Sequence, residues 1–379
     1  MSINPRNAEY TKEYNRHMFL RLLRSGPKSR VDITRHLGLT RSATTLIADE
    51  LLSEGLIAET APIEDTLRGR PPMPLTICGD ACYAIGVYLS RHGFRAGIVD
   101  FSDNLITNIV MSFDSNSGRD KTALLISTIK QLIDDCEIPL DKICGIGISC
   151  PGPINELEGE ILNAPHFKLW ANTKLAGRIR EEIDLPVYLE KDAACLARYS
   201  LGREAAGGSQ DYLLLLMEGG VGSGLVTNGR LLKTYGRYTC EIGHTTINID
   251  GPVCECGNFG CLERYAAIRN LLEGSSYKTI QELTERRGEP QATALIEKEA
   301  DYLAAGVVNA ANIVSINTVL LSGDITCIAD TLAPMIEKRV NRRLIQRDQI
   351  SIKVRSARIT PESKIIAASD IAFDRFLSI

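Results

Sequence analysis

No run of apolar residues in this 379-residue chain approaches the ~18 that a helical membrane span requires, so insertion into a bilayer is not expected. Met1–Pro27 holds no uninterrupted apolar stretch of the kind a secretory leader carries, and Lys and Arg recur through it. The 11 cysteines lack the even, regular spacing of a disulfide framework. Together these absences point to a reducing cytoplasm, with thiols free or metal-bound. Charge of one sign is also lacking. At a net −4, the chain as a whole is not built to bind a polyanion. Hydrophobic content of 44% and charged content of 24% are those of an ordinary globular protein, and the length allows two or three domains.

What is present is a dense stretch from Glu241 to Glu263, EIGHTTINIDGPVCECGNFGCLE. His244, Cys254, Cys256 and Cys261 form the ligand set of a four-coordinate structural zinc site. The C-x-C-G-x-x-G-C spacing demands a tight knuckle, for which Gly257 and Gly260 supply backbone freedom. Four protein ligands leave no open position for an activated water, so such a zinc holds shape. The alternative is a group of buried free thiols beside a core histidine. Glu241 and Glu263 frame the cluster in either case.

Charge is unevenly distributed. Residues 6–48 carry nine Lys/Arg against three acids, and a basic terminal segment on an acidic protein suggests nucleic acid. The apolar spacing predicts a helix over Tyr14–Arg24 with Met18, Phe19, Leu22 and Leu23 on one face, ended by Gly26-Pro27. Ser29 caps a short helix, Arg30–Leu37, and Gly38-Leu39 makes a turn. Thr40 caps a third helix running to about Ser53, with Ala43, Leu46, Ile47, Leu51 and Leu52 facing inward. Two helices joined by a short glycine-containing turn are a helix-turn-helix. Its second helix would present Arg41, Ser42, Thr44 and Thr45 to base edges, with Arg30 as a further candidate DNA contact. Gly55–Glu59 reads as the first strand of a wing. Leu67–Pro72 follows, where Arg68 and Arg70 suit insertion into a narrow minor groove or serve as a plain basic linker. Residues 1–75 are thus expected to form a winged helix-turn-helix.

From Tyr83 onward, short apolar strands alternate with helices, the pattern of an α/β fold. Three strands precede a helix at Asp120–Cys136, and a buried strand over Ile143–Ile148 is followed by Val187–Glu190 and a helix at Ala193–Leu201. The second half begins again with strands, Tyr212–Met217 followed by the glycine-rich stretch Glu218–Val226, then helices between Leu262 and Ile313, and a late strand at Val319–Gly323. Glycine turns at matching places in two β-rich halves suggest a duplicated fold with a cleft between lobes, here 80–190 and 191–379.

The segment SRVDITRHLGLTRSATTLIADELLSEGLI resembles the opening of regulators in the ROK family (repressors, open reading frames and kinases). Glu241-Ile242-Gly243-His244 and Cys254–Glu263 match that family's two signature blocks. The resemblance implies an actin-like, ribonuclease-H-type body of the sugar-kinase and ATPase kind, with the last helix able to return to the first lobe. It also implies that Glu241, His244 and Glu263 line a sugar pocket, with His244 doubling as a zinc ligand. The family's glutamate-asparagine-aspartate block is Glu190-Lys191-Asp192 here. Asp192 stands where family kinases keep their catalytic base, and Lys191 replaces an asparagine that touches the sugar. A lysine there could pair with Asp192 or Glu241, or favour a ligand bearing a carboxylate or phosphate.

Family kinases place an aspartate-x-glycine-glycine-threonine turn after the first strand to cradle ATP phosphates. The matching stretch here is Tyr88-Leu89-Ser90-Arg91-His92, without the acid or the glycines, while the second loop, Gly219–Gly224, is retained and Ser322-Gly323-Asp324 stands where kinases pair glycines. The resemblance therefore implies a DNA-binding transcriptional repressor of carbohydrate uptake or metabolism genes, with no catalytic residue of its own. Its expected partners are operator DNA and a sugar or sugar-derivative effector. It is expected to form a homodimer or homotetramer, with control by a transport-system protein as a further route. A sugar kinase carrying a DNA-binding arm is the alternative from another class.

Overall fold

The computed structural model describes residues 8–61, 73–113, 120–163, 167, 170–201, 203, 206–234, 237–238 and 240–377. Arg68 and Arg70 lie outside the described residues. The chain opens with three helices, α1 (Ala8–Arg24), α2 (Arg30–Leu37) and α3 (Arg41–Ser53). Ser29 Oγ caps α2 by accepting from the Asp32 amide, and Thr40 Oγ1 caps α3 by accepting from the Ala43 amide. Gly38, at φ 65°, closes α2 in the left-handed region, where glycine carries no Cβ penalty. Phe19, Leu23, Ile33, Ile47, Ala48 and Leu51 make the shared core of the three helices. Strand β1 (Ile57–Glu59) pairs antiparallel with β2 (Leu75–Ile77), so the module runs through residue 77 and not 75. Leu46, expected inward, is 58% exposed, because the neighbouring Ile47 and Ala48 take the buried face of α3.

The body contains two sheets of the same design. In the first lobe β3 (Tyr83–Ser90), β4 (Gly93–Asp100) and β5 (Leu105–Ser112) form an antiparallel meander, followed by α4 (Lys121–Cys136). Strand β6 (Ile143–Cys150) runs parallel to β3. A two-residue pair, β7 (Ile154–Asn155) and β8 (Glu160–Ile161), and helix α5 (Leu175–Arg180) lead to β9 (Val187–Lys191), which runs parallel to β6. Helix α6 (Asp192–Ser200) closes the unit.

The second lobe repeats this. Strands β10 (Tyr212–Met217), β11 (Val221–Thr227) and β12 (Arg230–Leu231) are its meander, and β13 (Lys233–Thr234) pairs with β14 (Arg237–Tyr238) beyond it. Helices α7 (Glu263–Ala266), α8 (Ile268–Leu271), α9 (Ile280–Glu285) and α10 (Pro290–Ala311) follow, then β15 (Thr318–Gly323), α11 (Ala329–Arg343), β16 (Lys353–Ser356) and α12 (Pro361–Phe376). The sheet orders are β5-β4-β3-β6-β9 and β12-β11-β10-β15-β16, identical in pattern and in strand direction. The fold is a duplication.

The closing helix of each unit packs on the other unit's sheet. Helix α6 lies on β10 and β11, and α12 lies on β3 and β6. Glycines permit the contact. A Cβ at Gly86 would collide with the Ile365 carbonyl and one at Gly147 with the Ala368 carbonyl, while one at Gly224 would collide with the Ala193 carbonyl. Residue 191, where the sequence suggests the second lobe begins, is the last residue of β9, and α6 just after it already covers the opposite sheet.

Candidate functional site

A cleft of about 370 Å³ opens between the lobes. Its floor is the junction of β9 and α6, which places Lys191 and Asp192 at the end of a buried strand. Its walls are the β3–β4 turn, the β10–β11 loop and the segment from Glu241 to Glu263. Asp192, Lys191, Glu241, His244 and Glu263 all line it.

Lys191 is buried, and its Nζ lies 2.6 Å from Glu241 Oε1 as an ion pair without hydrogen-bond alignment. This is the pairing with Glu241 that the sequence allows. Asp192 accepts the Ala193 amide at 2.6 Å. Burial raises its carboxyl to about 6, with Glu218 and Glu241 adding to the rise and Lys191 opposing it. Glu263 is 7% exposed and its Oε2 accepts the Val221 amide at 2.9 Å, so this carboxylate spans from the knuckle to the glycine loop.

The far end of the cleft is closed by side chains. Arg91, in the β3–β4 turn, donates from Nη1 to the Gly219 carbonyl across the lobe boundary. Burial and the nearby Arg269 cation lower its pKa, while Glu263 raises it. Tyr88 on β3 donates to Glu218 Oε2 at 2.9 Å, and Lys364 on α12 pairs with Glu218 Oε1 while lying 4.8 Å from the Tyr88 ring centre. Glu218 and Lys364 are not among the candidate site residues of the sequence, and Tyr88 appears there only within the Tyr88–His92 stretch. They sit in three segments far apart in the chain, and nothing in their local sequence marks them as partners.

His244, Cys254, Cys256 and Cys261 converge with their ligand atoms all within 4.8 Å of one another. Cys256 Sγ lies 3.7 Å from Cys261 Sγ, and Cys254 Sγ 3.6 Å from His244 Nδ1. A tetrahedron with Zn–S bonds of about 2.3 Å has edges of roughly 3.7 Å, so the donor set fits a tetrahedral cation. Burial pushes the Cys254 thiol up and the Cys261 thiol to about 12, so without a cation these are neutral thiols in close contact. Gly260 (φ 59°) is required, because a Cβ there would strike the Asn248 carbonyl.

In the N-terminal module Arg41, Ser42 and Thr45 are exposed at the start of α3. Thr44 is not available to base edges. It is 1% exposed, donates to the Thr40 carbonyl at 3.1 Å and accepts from Thr34 at 2.9 Å. One residue of helical rotation, about 100°, separates it from the exposed face. Arg30 is half-buried and engaged with Glu59 at 2.8 Å and Asp49 at 3.7 Å.

Fold and site define a two-lobed, actin-like body with an interlobe cleft and a thiol-imidazole knuckle, joined to a helix-turn-helix. The ROK family pattern matches residues 84–375, and the chain belongs to that family. It is 25% identical to the xylose repressor of Caldicellulosiruptor bescii over 394 aligned residues, covering 98% of each chain. Among solved structures it superposes on a ROK family transcriptional regulator, a homolog of the E. coli MLC protein, with a TM-score of 0.78 at 23% identity, covering 97% of this chain and 98% of that one. A ROK hexokinase from Thermus thermophilus superposes with a TM-score of 0.65 at 26% identity, covering 78% of this chain and 99% of its own.

Proposed function

We propose that this protein is a DNA-binding transcriptional repressor of carbohydrate uptake or metabolism genes, controlled by a sugar or sugar derivative held in the interlobe cleft. The observation that carries the reading is the joining of two parts in one chain. One is a helix-turn-helix with Arg41, Ser42 and Thr45 exposed at the start of α3. The other is a cleft whose glycine loop is occupied by the protein's own Arg91. The full-length match to a chain named as a xylose repressor supports the same reading.

In this reading Asp192, Glu241 and Glu263 accept hydrogen bonds from ligand hydroxyls, and Lys191 holds Glu241 in place. His244, Cys254, Cys256 and Cys261 hold a structural zinc, which supplies rigidity and no chemistry. The cleft transfers no phosphate, because Arg91 fills the approach to Gly219 and Gly220 that phosphates would need. Paired DNA half-sites call for two-fold symmetry, so the working form is a homodimer or a dimer of dimers.

Selection of bound genomic fragments by the full chain, followed by gel shift, tests the DNA reading. Arg41→Ala should weaken binding by an order of magnitude or more, and undiminished binding removes Arg41 from the readout. Metal analysis should return one zinc per chain, and Cys256→Ser should lose it. A metal-free wild type ends the zinc assignment.

One observation favours a second reading, a sugar kinase. Asp192 has a carboxyl raised to about 6 at the cleft floor, as a general base would require. ADP release from MgATP with hexoses and N-acetylhexosamines decides between them: turnover above background establishes the kinase.

A further inference from the structure

The cleft and the DNA-reading helices are tied together through arginine–carboxylate contacts that converge on two aspartates. Asp103, in the β4–β5 turn of the first lobe, pairs through Oδ1 with Arg24 of α1 and through Oδ2 with Arg203 Nη2 at 3.1 Å. Asp374, on α12, pairs through Oδ2 with Arg198 of α6, and its carbonyl accepts from Arg21 of α1 at 3.1 Å. Each aspartate is therefore held on one side by an arginine of α1. On the other side it is held by an arginine of α6 or of the residues just beyond it.

The two sides are mechanically different. Helix α12 is seated on the first lobe's sheet by the backbone approaches at Gly86 and Gly147. Helix α6 is seated on the second lobe's sheet by the approach at Gly224. The contact between α6 and α12 is thus where the two exchanged helices, one seated on each sheet, meet. Asp192 is the first residue of α6, and Arg198 lies on the same nine-residue helix. Arg198 also holds the buried Glu190 at 2.6 Å, two residues before Asp192, and donates to the Asp370 carbonyl at 3.2 Å. The Asp370 side chain in turn binds Arg24 Nη2 at 2.7 Å. Arg24 is nearly buried, with its guanidinium 4.4 Å from the Phe373 ring centre and 5.6 Å from that of Phe101. A buried guanidinium with two carboxylates and two ring faces has one well-defined position, so α1 follows what those partners do.

We propose that Asp103 and Asp374 are the exchange points through which the interlobe cleft sets the seating of α1. Displacement of α6 by a ligand at Asp192 moves Arg198 and Arg203. That changes the hold each shared aspartate keeps on Arg24 and Arg21, and with it the position of the helix-turn-helix. The device rests on the reading of that module as DNA-binding, but the mechanical link can be tested without DNA.

Amide hydrogen exchange on the full chain reads the link directly. Among the described residues Arg203 and Arg198 form no hydrogen bond or ion pair with α1, so a purely local role leaves α1 unmoved. Arg203→Gln, at a half-exposed site, and Arg198→Gln should each accelerate exchange of the α1 amides at least threefold. Arg339→Gln, which removes a comparably bonded arginine on α11 far from α1, should leave them unchanged. Because Arg198→Gln leaves the buried Glu190 with Lys233 at 3.1 Å but without its guanidinium, Arg198→Lys serves if that variant does not fold. Exchange in α1 equal to wild type in the Arg203→Gln chain overturns the proposal. If α1 responds but selected genomic fragments are not bound, the link stands and the DNA reading falls.

Discussion

Asp192 is a carboxyl placed where its charge is costly. Folding raises it to about 6 from the ordinary carboxylate range, so the protonated form is favoured in the folded chain. The stabilising contribution is complete below the unfolded value, near 4, and is lost as pH rises through about 6. Asp192→Asn should therefore stabilise the unliganded protein at pH 8 by about 3 kcal/mol, with the difference shrinking to a small fraction of that near pH 4, as measured by urea denaturation at both values. The site explains why such a residue is tolerated: a bound sugar hydroxyl would donate to the ionised carboxylate and recover what burial takes away. The sequence made Asp192 legible through the block it resembles. It did not make Lys191's partner legible, because a lysine four carbons long reaches Asp192, Glu241 or a ligand equally well; in the fold its stem passes beside Gly152 and its Nζ meets Glu241.

At the level of single elements, α3 shows both the reach and the limit of sequence reasoning. Its start was legible because Thr40 is a strong cap, and its exposed Arg41, Ser42 and Thr45 followed from helical spacing. Thr44 and Leu46 were misjudged for one reason. A threonine is polar and a leucine apolar, yet the buried stripe of this short helix passes through Thr44, Ile47, Ala48 and Leu51. Thr44 satisfies its hydroxyl against Thr34 and Thr40, and Leu46 is left outside. Thr44→Val should thus destabilise the module by about 1 kcal/mol in thermal melts by removing a buried hydrogen bond, without changing which sequences are bound. Thr45→Ala should do the reverse, altering fragment preference with little change in melting temperature. The thiol-imidazole knuckle was legible at once from its cysteines. Its distances of 3.6 and 3.7 Å could not have been, since they depend on how His244 and Gly260 bring two separate turns together.

Across the whole molecule, the duplicated fold was visible as two runs of strands with matching glycine turns, and the family resemblance implied the return of the last helix to the first lobe, while the crossing of α6 to the second sheet was not legible. Nothing in the pattern of α6 or α12 says on which sheet it rests; that is decided by Gly86, Gly147 and Gly224, whose missing side chains let a helix backbone approach. Gly86→Ala should push α12 off the first sheet and cost 1–3 kcal/mol or more by overpacking, read as a lower denaturation midpoint. The network around Arg24 and Asp370 should loosen with it, so the same variant should release α1 in hydrogen exchange. Gly177→Ala, with open space around it, should do neither.

The pairing of Arg24 with Asp370 joins residues 346 positions apart. A chain leaves the ribosome from its N-terminal end, at roughly 5–20 residues per second. Helices α1 to α3 are therefore synthesised well before the helix that seats them, and the sheet of β3 and β6 waits uncovered for the same helix. A nascent or prematurely terminated chain can complete α1, α2 and α3, yet it holds them against the body only through the first-lobe contacts of Arg24 with Asp103 and Phe101. Loss of α12 would remove Asp370, Phe373 and Asp374 from the seat of the arm, so C-terminal truncation is expected to uncouple this protein before it removes a single residue of the cleft floor or the knuckle.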